Sequence, residues 1–216
     1  MPGFPLPSDD GALVAAVLAG DHDAFSDLVQ KYQRPLLRVA ASRLGRSDWA
    51  EDAVQETFLC AFRSLHTYDS HYNFRTWLWT ILLNQCRRQY QRRMRTPLVT
   101  AWSDQSDTSQ PVPRETVCDS LSPQIQLLAK ERAEQLEQLL AELPEAQADA
   151  MRLRFYGGLK FQEIADAMGS GLSTAKNRVR VGLTRMAEMI AQRPHRDLCQ
   201  SDDPAFGPLA EDCHEL

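Results

Sequence analysis

Residues 73–95 read NFRTWLWTILLNQCRRQYQRRMR, with six arginines, two tryptophans and no acidic residue, in a chain of formal net charge −5. An acidic chain has no general attraction for polyanions, so arginines clustered without counter-charge mark a specific face for phosphate. The first half of the segment is apolar nearly all round (Trp77, Leu78, Trp79, Ile81, Leu82, Leu83), which suits a helix wedged among others. The second half carries Arg87, Arg88, Arg92, Arg93 and Arg95. These residues predict one helix that begins in a core and ends in a basic patch; a core helix with a merely solvated arginine end is the competing reading.

Upstream, Ser8 or Asp9 is placed to cap a short helix carrying Leu13, Val14 and Val17 that stops at Gly20, and Asp21 to cap the next. That second helix has Phe25, Leu28, Val29, Tyr32, Leu36, Leu37 and Val39 at helical spacing, a kink expected at Pro35 and a stop at Gly45. Ser47 or Asp48 should cap a third helix, in which Val54, Phe58, Phe62 and Leu65 form the expected core stripe while Asp48, Asp52, Gln55, Glu56 and Arg63 lie opposite.

Downstream, residues 96–123 are rich in Ser, Thr, Asp and Pro, lack periodicity and read as a flexible linker. Ile125, Leu127, Leu128, Leu136, Leu139, Leu140 and Leu143 then predict an amphipathic helix ending near Pro144. Three shorter helices follow, broken at Gly157-Gly158 and at Gly169-Ser170-Gly171. Two short helices joined by a tight Gly-containing turn, the second bearing Lys176, Arg178, Arg180 and Arg185, outline a helix-turn-helix, whose second helix fits the DNA major groove. No alternating pattern is long enough for a strand. The expected fold is therefore all-α: two small helical domains (1–95 and 124–192) joined by a flexible linker (96–123), the second containing the helix-turn-helix, followed by an acidic, disordered tail (193–216) whose charge complements the basic faces.

A chain of 216 residues, 43% hydrophobic and 25% charged, is ordinary for soluble protein, and two small domains fit it. The proline-interrupted N-terminus is no signal peptide, and no apolar run approaches a membrane span, so a cytoplasmic location without membrane insertion is expected. Five widely spaced cysteines (Cys60, Cys86, Cys118, Cys199, Cys213) fit reduced thiols. His195, Cys199, Cys213 and His214 match no usual zinc spacing, so no metal or cofactor is expected. There is no phosphate-cradling glycine loop and no nucleophile with its base, which argues against an enzyme.

The order of these segments resembles the extracytoplasmic-function (ECF) group of bacterial RNA polymerase sigma factors, over nearly everything from Gly20 to Gln192. DWAEDAVQETFLCAFR is similar to that family's polymerase-binding segment, with Asp48, Glu51, Asp52, Gln55, Glu56, Thr57, Phe58, Phe62 and Arg63 in register. FRTWLWTILLNQCRRQYQRR resembles the segment that opens and reads the minus-ten promoter element, and LKFQEIADAMGSGLSTAKNRV the one that reads the minus-thirty-five element. Arg88 departs from a common aspartate; Gly171, Ser173, Ala175 and Asn177 depart from Pro, Gly, Val and Ser.

The resemblance implies a binding module that joins core polymerase, touching its beta-prime coiled coil and beta flap, and directs it to promoter DNA; an antagonist anti-sigma factor is a further implied partner. Asp48, Glu51, Asp52, Gln55, Glu56 and Arg63 become candidates for the polymerase surface. A base extruded from the nontemplate strand would be captured near Tyr68, Tyr72, Asn73 and Trp77, with Arg75, Asn84, Arg87, Arg88, Arg92 and Arg93 holding the strand. For Trp77 and Trp79, core packing is the stronger reading. Ser173, Thr174, Lys176, Asn177, Arg178 and Arg180 are candidates for reading the minus-thirty-five duplex. The rivals are a two-domain helix-turn-helix regulator that does not join polymerase, which leaves the acidic helix unexplained, and a helical adaptor, which leaves both basic clusters unexplained.

Overall fold

The computed structural model describes residues 10–69, 73–95 and 123–192, so the linker up to Ser122, the tail from Arg193, Tyr72, the Ser8/Asp9 cap and the cysteines 118, 199 and 213 lie outside the described residues. Every regular element among them is helical: α1 (Asp10–Leu18), α2 (Asp23–Leu44), α3 (Ser47–Ser64), a 3-10 turn (Leu65–Thr67), α4 (Phe74–Arg95), α5 (Pro123–Glu142), α6 (Glu145–Phe155), α7 (Phe161–Ala167) and α8 (Leu172–Gln192). α2 continues through Pro35 and ends on Gly45, whose φ of 71° is the left-handed turn that glycine adopts without strain. Asp21 accepts the Asp23 amide at 3.1 Å, one residue outside the position it was expected to cap. Neither Ser47 nor Asp48 caps α3. Arg46 holds the N-cap position without a side-chain bond, and Asp48 turns back to pair with it.

The α3 core stripe differs from the expected one. Val54 and Leu65 are buried, but Phe62 is 42% exposed and Phe58 only partly covered; Ala50, Ala53, Thr57 and Ala61 carry the contact instead. Small side chains let α3 approach α2 and α4 closely, which large rings would prevent, and the rings go to the rim. There Phe25 meets Phe58 and Phe62 edge-on at centroid separations of 6.4 and 5.1 Å. On α4 the expected core is in place, with Leu78, Trp79 and Leu82 fully buried.

α5 is less buried than its pattern suggests: Leu139, Leu140 and Leu143 enter the core, while Ile125, Leu127, Leu128 and Leu136 remain exposed. Its N-terminal half carries an apolar stripe that no described element covers. α6, α7 and α8 pack on one another, and Gly182 brings α8 onto α6 closely enough that an added Cβ would lie 3.1 Å from Met151 Cγ.

α6 rests on α2 and α7 on α4, so the buried residues of both halves form one cluster. Where they meet, a Cβ on Gly157 would lie 2.8 Å from the Leu153 carbonyl oxygen and 3.2 Å from the Trp79 ring. Gly157→Ala should therefore cost about 1–3 kcal/mol, read by thermal denaturation against wild type.

Candidate polymerase and nucleic-acid interfaces

α3 and α4 cross to leave a shallow groove of about 260 Å³ lined by Asp52, Ala53, Gln55, Glu56, Leu59, Gln85, Arg88, Gln89 and Arg92. Gln89 donates to Asp52 at 3.2 Å and Gln85 to the Cys60 sulfur at 3.0 Å, which fixes the two walls against each other. One wall is acidic and the other basic. Three of the six polymerase candidates line this groove, together with the exposed Leu59, which the sequence pattern does not single out. Asp48, Glu51 and Arg63 are exposed on the same helix outside it. Asp48 is held by Arg46 at 3.1 and 3.0 Å, and that bond keeps its carboxyl below the ordinary range.

The start of α4 carries an aromatic group. Tyr68 lies 5.3 Å from Trp77 and 5.8 Å from Phe74, and Phe74 lies 5.7 Å from Trp77. Phe74 is buried and Trp77 half-buried, so Trp77 is a wall of the core as well as a candidate surface. Burial first, and then the charge of Asp10, raise the Tyr68 phenol above its ordinary value, so it stays neutral. Asn73 caps α4: its Oδ1 accepts the Arg75 amide at 3.0 Å.

The candidate minus-ten residues do not form one site. Asn84, Arg87 and Arg88 are exposed and recur at spacings of three and one, on one side of α4, while Arg88 and Arg92 line the groove beside Asp52 and Glu56. Arg75 is 17 residues, or about 25 Å of helix, from Arg92. It points at the second half of the molecule: Nη2 donates to the Gly157 carbonyl at 2.5 Å and Nη1 lies 3.9 Å from Glu163. The Asn73 amide also reaches Glu163, at 3.3 Å. The side chain of Arg93 and all of Tyr72 lie outside the described residues.

α7 and α8 form the helix-turn-helix, with the turn passing through Gly169 at a φ of 57°. Glu163 accepts the Lys160 amide at 2.7 Å and so closes the first turn of α7. On α8, Ala175, Val179, Gly182 and Met186 face inward, which leaves Ser173, Thr174, Lys176, Asn177 and Arg180 exposed along the N-terminal half. Arg178 is half-buried and leans on Met168, with Nη1 3.9 Å from its sulfur, so it stands apart from that surface.

Two family models match the chain: Sigma-70 region 2 over residues 28–96 and Sigma-70, region 4 over residues 133–186, the segments that hold the groove and the helix-turn-helix. RNA polymerase sigma-H factor of Pseudomonas aeruginosa is 30% identical over 79% of this chain and 88% of its own length. The chain belongs to the ECF subfamily of the sigma-70 family of RNA polymerase sigma factors. The ECF sigma factor SigW of Bacillus subtilis is 24% identical over 82% of this chain and 94% of its own length. Among solved structures, the sigma factor RpoE in complex with the anti-sigma factor NepR from Bartonella quintana matches with a TM-score of 0.54 at 25% identity, covering 77% of this chain and 98% of that one. CnrH in complex with the cytosolic domain of CnrY shares the fold, with a TM-score of 0.64 at 21% identity over 85% of this chain and 98% of that one.

As a sigma factor the protein binds core RNA polymerase and directs it to promoters to start transcription. Among the described residues no helix is long and apolar enough to cross a membrane, and no cluster of His, Cys, Asp and Glu is arranged to hold a metal ion. Cys86 is fully buried on α4, and that burial pushes its thiol up to about 12. At pH 8 only roughly one such thiol in ten thousand is ionised, so iodoacetamide should leave Cys86 unmodified in the folded sigma factor while labelling the half-exposed Cys60. Mass spectrometry of the two peptides reads this; comparable labelling of both would contradict the packing.

Proposed function

We propose that this sigma factor uses three separate faces for three steps. The α3/α4 groove, with Asp52, Gln55, Glu56 and Leu59, grips the coiled coil of the polymerase beta-prime subunit, and Asp48, Glu51 and Arg63 extend that contact. The exposed N-terminal half of α8 reads the minus-thirty-five duplex: Lys176 and Arg180 anchor phosphates while Ser173, Thr174 and Asn177 face base edges. Tyr68, Asn73 and Trp77 capture an extruded base of the minus-ten element, and Arg75, Asn84, Arg87 and Arg88 steady the opened strand.

The observation that carries this reading is the separation of the faces. A groove with one acidic wall, an aromatic-and-polar end of α4 and an exposed basic helix stand on different parts of one chain, and a regulator that bound DNA alone would have no use for the first. The protein works by binding and has no catalytic step of its own, and it acts in the cytoplasm, where polymerase and promoter meet. An anti-sigma factor is its proposed antagonist, since a relative with the same fold is found in complex with one.

Transcription of fragmented genomic DNA by core polymerase, with and without this protein, tests the reading. New, protein-dependent start sites preceded by a shared pair of sequence elements are expected; an unchanged set of transcripts would refute it.

A further inference from the structure

We infer that Arg180 sets one base preference of the minus-thirty-five contact through Asn177: it turns the Asn177 amide so that only the NH2 end is offered to the DNA, which selects guanine or thymine at that base pair. The inference rests on the function proposed above for α8 and adds to it the class of base that is read.

Ser173, Asn177 and Arg180 recur at spacings of four and three on the exposed side of α8, away from the inward-facing Ala175, Val179, Gly182 and Met186. Arg180 Nη2 donates to Asn177 Oδ1 at 2.9 Å. A guanidinium carries donors and no acceptor, so the amide atom that faces it is the oxygen and the NH2 group points elsewhere. Glu188 is the only acid of α8 and lies eight positions beyond Arg180, about 12 Å along the axis, so no carboxylate of the helix draws the guanidinium away. The bond is charge-assisted, and it gains strength where a DNA surface excludes water from α8. The other N–H groups of Arg180 remain for a phosphate, so holding Asn177 and anchoring the backbone are compatible.

The base edges then decide what Asn177 can read. An asparagine that reads adenine uses both ends of its amide, accepting from N6 and donating to N7. With Oδ1 turned along the helix toward Arg180, Asn177 meets a base with Nδ2 alone. Guanine O6 and N7 and thymine O4 accept those hydrogens, whereas the amino groups of adenine and cytosine set donor against donor. Such a clash leaves polar groups unpaired in a closed interface, which costs more than a contact merely not made.

The test is a selection with core polymerase joined to the full chain, in which the minus-thirty-five element is randomised and the bound sequences are counted. Asn177→Ala should flatten the preference at one base pair and so identify it. There the wild type should place guanine or thymine ahead of adenine by about tenfold. Arg180→Ala frees the amide to meet adenine at both ends, so adenine should rise at that base pair until the preference is lost or reversed, while the other positions keep their order. Arg180→Lys, again a donor without an acceptor, should restore the wild-type order. An arginine that only held a phosphate would weaken all sequences alike and leave every order unchanged. Both side chains are exposed and alanine suits a helix, so the variants keep the fold. Adenine or cytosine ahead in the wild type, an unchanged order in Arg180→Ala, or no flattening in Asn177→Ala overturns the inference and leaves α8 as the duplex reader. If the wild type enriches no upstream element at all, the function proposed for α8 falls, and this inference with it.

Discussion

Reversing Asp52 and Glu56 to lysine together should lower the affinity of this sigma factor for core polymerase by at least about a hundredfold in a pull-down or anisotropy assay. Both side chains line the α3/α4 groove, Asp52 exposed and Glu56 half-exposed, and Arg88 and Arg92 stand on the opposite wall. The substitutions would line the groove with positive charge on both walls and so reverse the acidic wall that a complementary partner surface would meet. Fold should survive, because the α3 side that enters the core is Ala50, Ala53, Val54, Thr57 and Ala61. Asp52→Asn alone keeps an acceptor for Gln89 and should cost far less. Asp48→Asn should be milder still, since its carboxylate is already engaged by Arg46 at the helix start. Full binding by the double reversal, with helical circular dichroism unchanged, would exclude the groove as the polymerase surface.

That ranking has no counterpart in the sequence, where Asp48, Asp52 and Glu56 stand as equal members of one motif. The helices themselves were legible because apolar residues recur with the helical period over long windows, and the breaks fall at glycines whose conformation the turns require, as at Gly45 and Gly169. The rotation of α3 was hidden for a physical reason: periodicity weights large apolar residues, yet close helix contact is made by alanines, which placed Phe62 at the rim. α5 shows the converse, a strong leucine stripe that the described fold leaves largely uncovered.

Least legible was the joint between the halves. Arg43 and Asp149 are 106 positions apart and Asn73 and Glu163 are 90 apart, and pairing over such separations leaves no local pattern. The resemblance puts Asn73 among the residues that capture a base and Arg75 among those that hold the strand, and neither assignment hints that the two side chains meet Glu163 of α7 and the Gly157 carbonyl. Leu59 was missed because a single exposed leucine carries no signal until the groove around it is seen.

Neutralising the two basic faces in separate proteins should separate the two DNA steps. Lys176→Ala with Arg180→Ala removes two exposed charges from the α8 surface that we propose reads the duplex. Each duplex phosphate that is no longer neutralised should reduce the log–log salt dependence of holoenzyme binding by about 0.9, so a fall of about 1.8 is expected for closed promoter complexes. Arg87→Ala with Arg88→Ala acts on a single strand instead, where each phosphate is worth about 0.7, and its fall of about 1.4 should appear only once the promoter has opened. Permanganate reactivity of unpaired thymines reads the difference: the α8 variant should open normally at saturating holoenzyme, whereas the α4 variant should bind and open only a fraction of the promoters, from which its salt dependence is read. The four side chains are exposed, so neither change disturbs the core. Because Arg88 also borders the polymerase groove, Arg87→Ala alone must reproduce the opening defect in part. If only the Arg88 change is effective, and polymerase affinity falls with it, then this end of α4 serves the polymerase and not the strand.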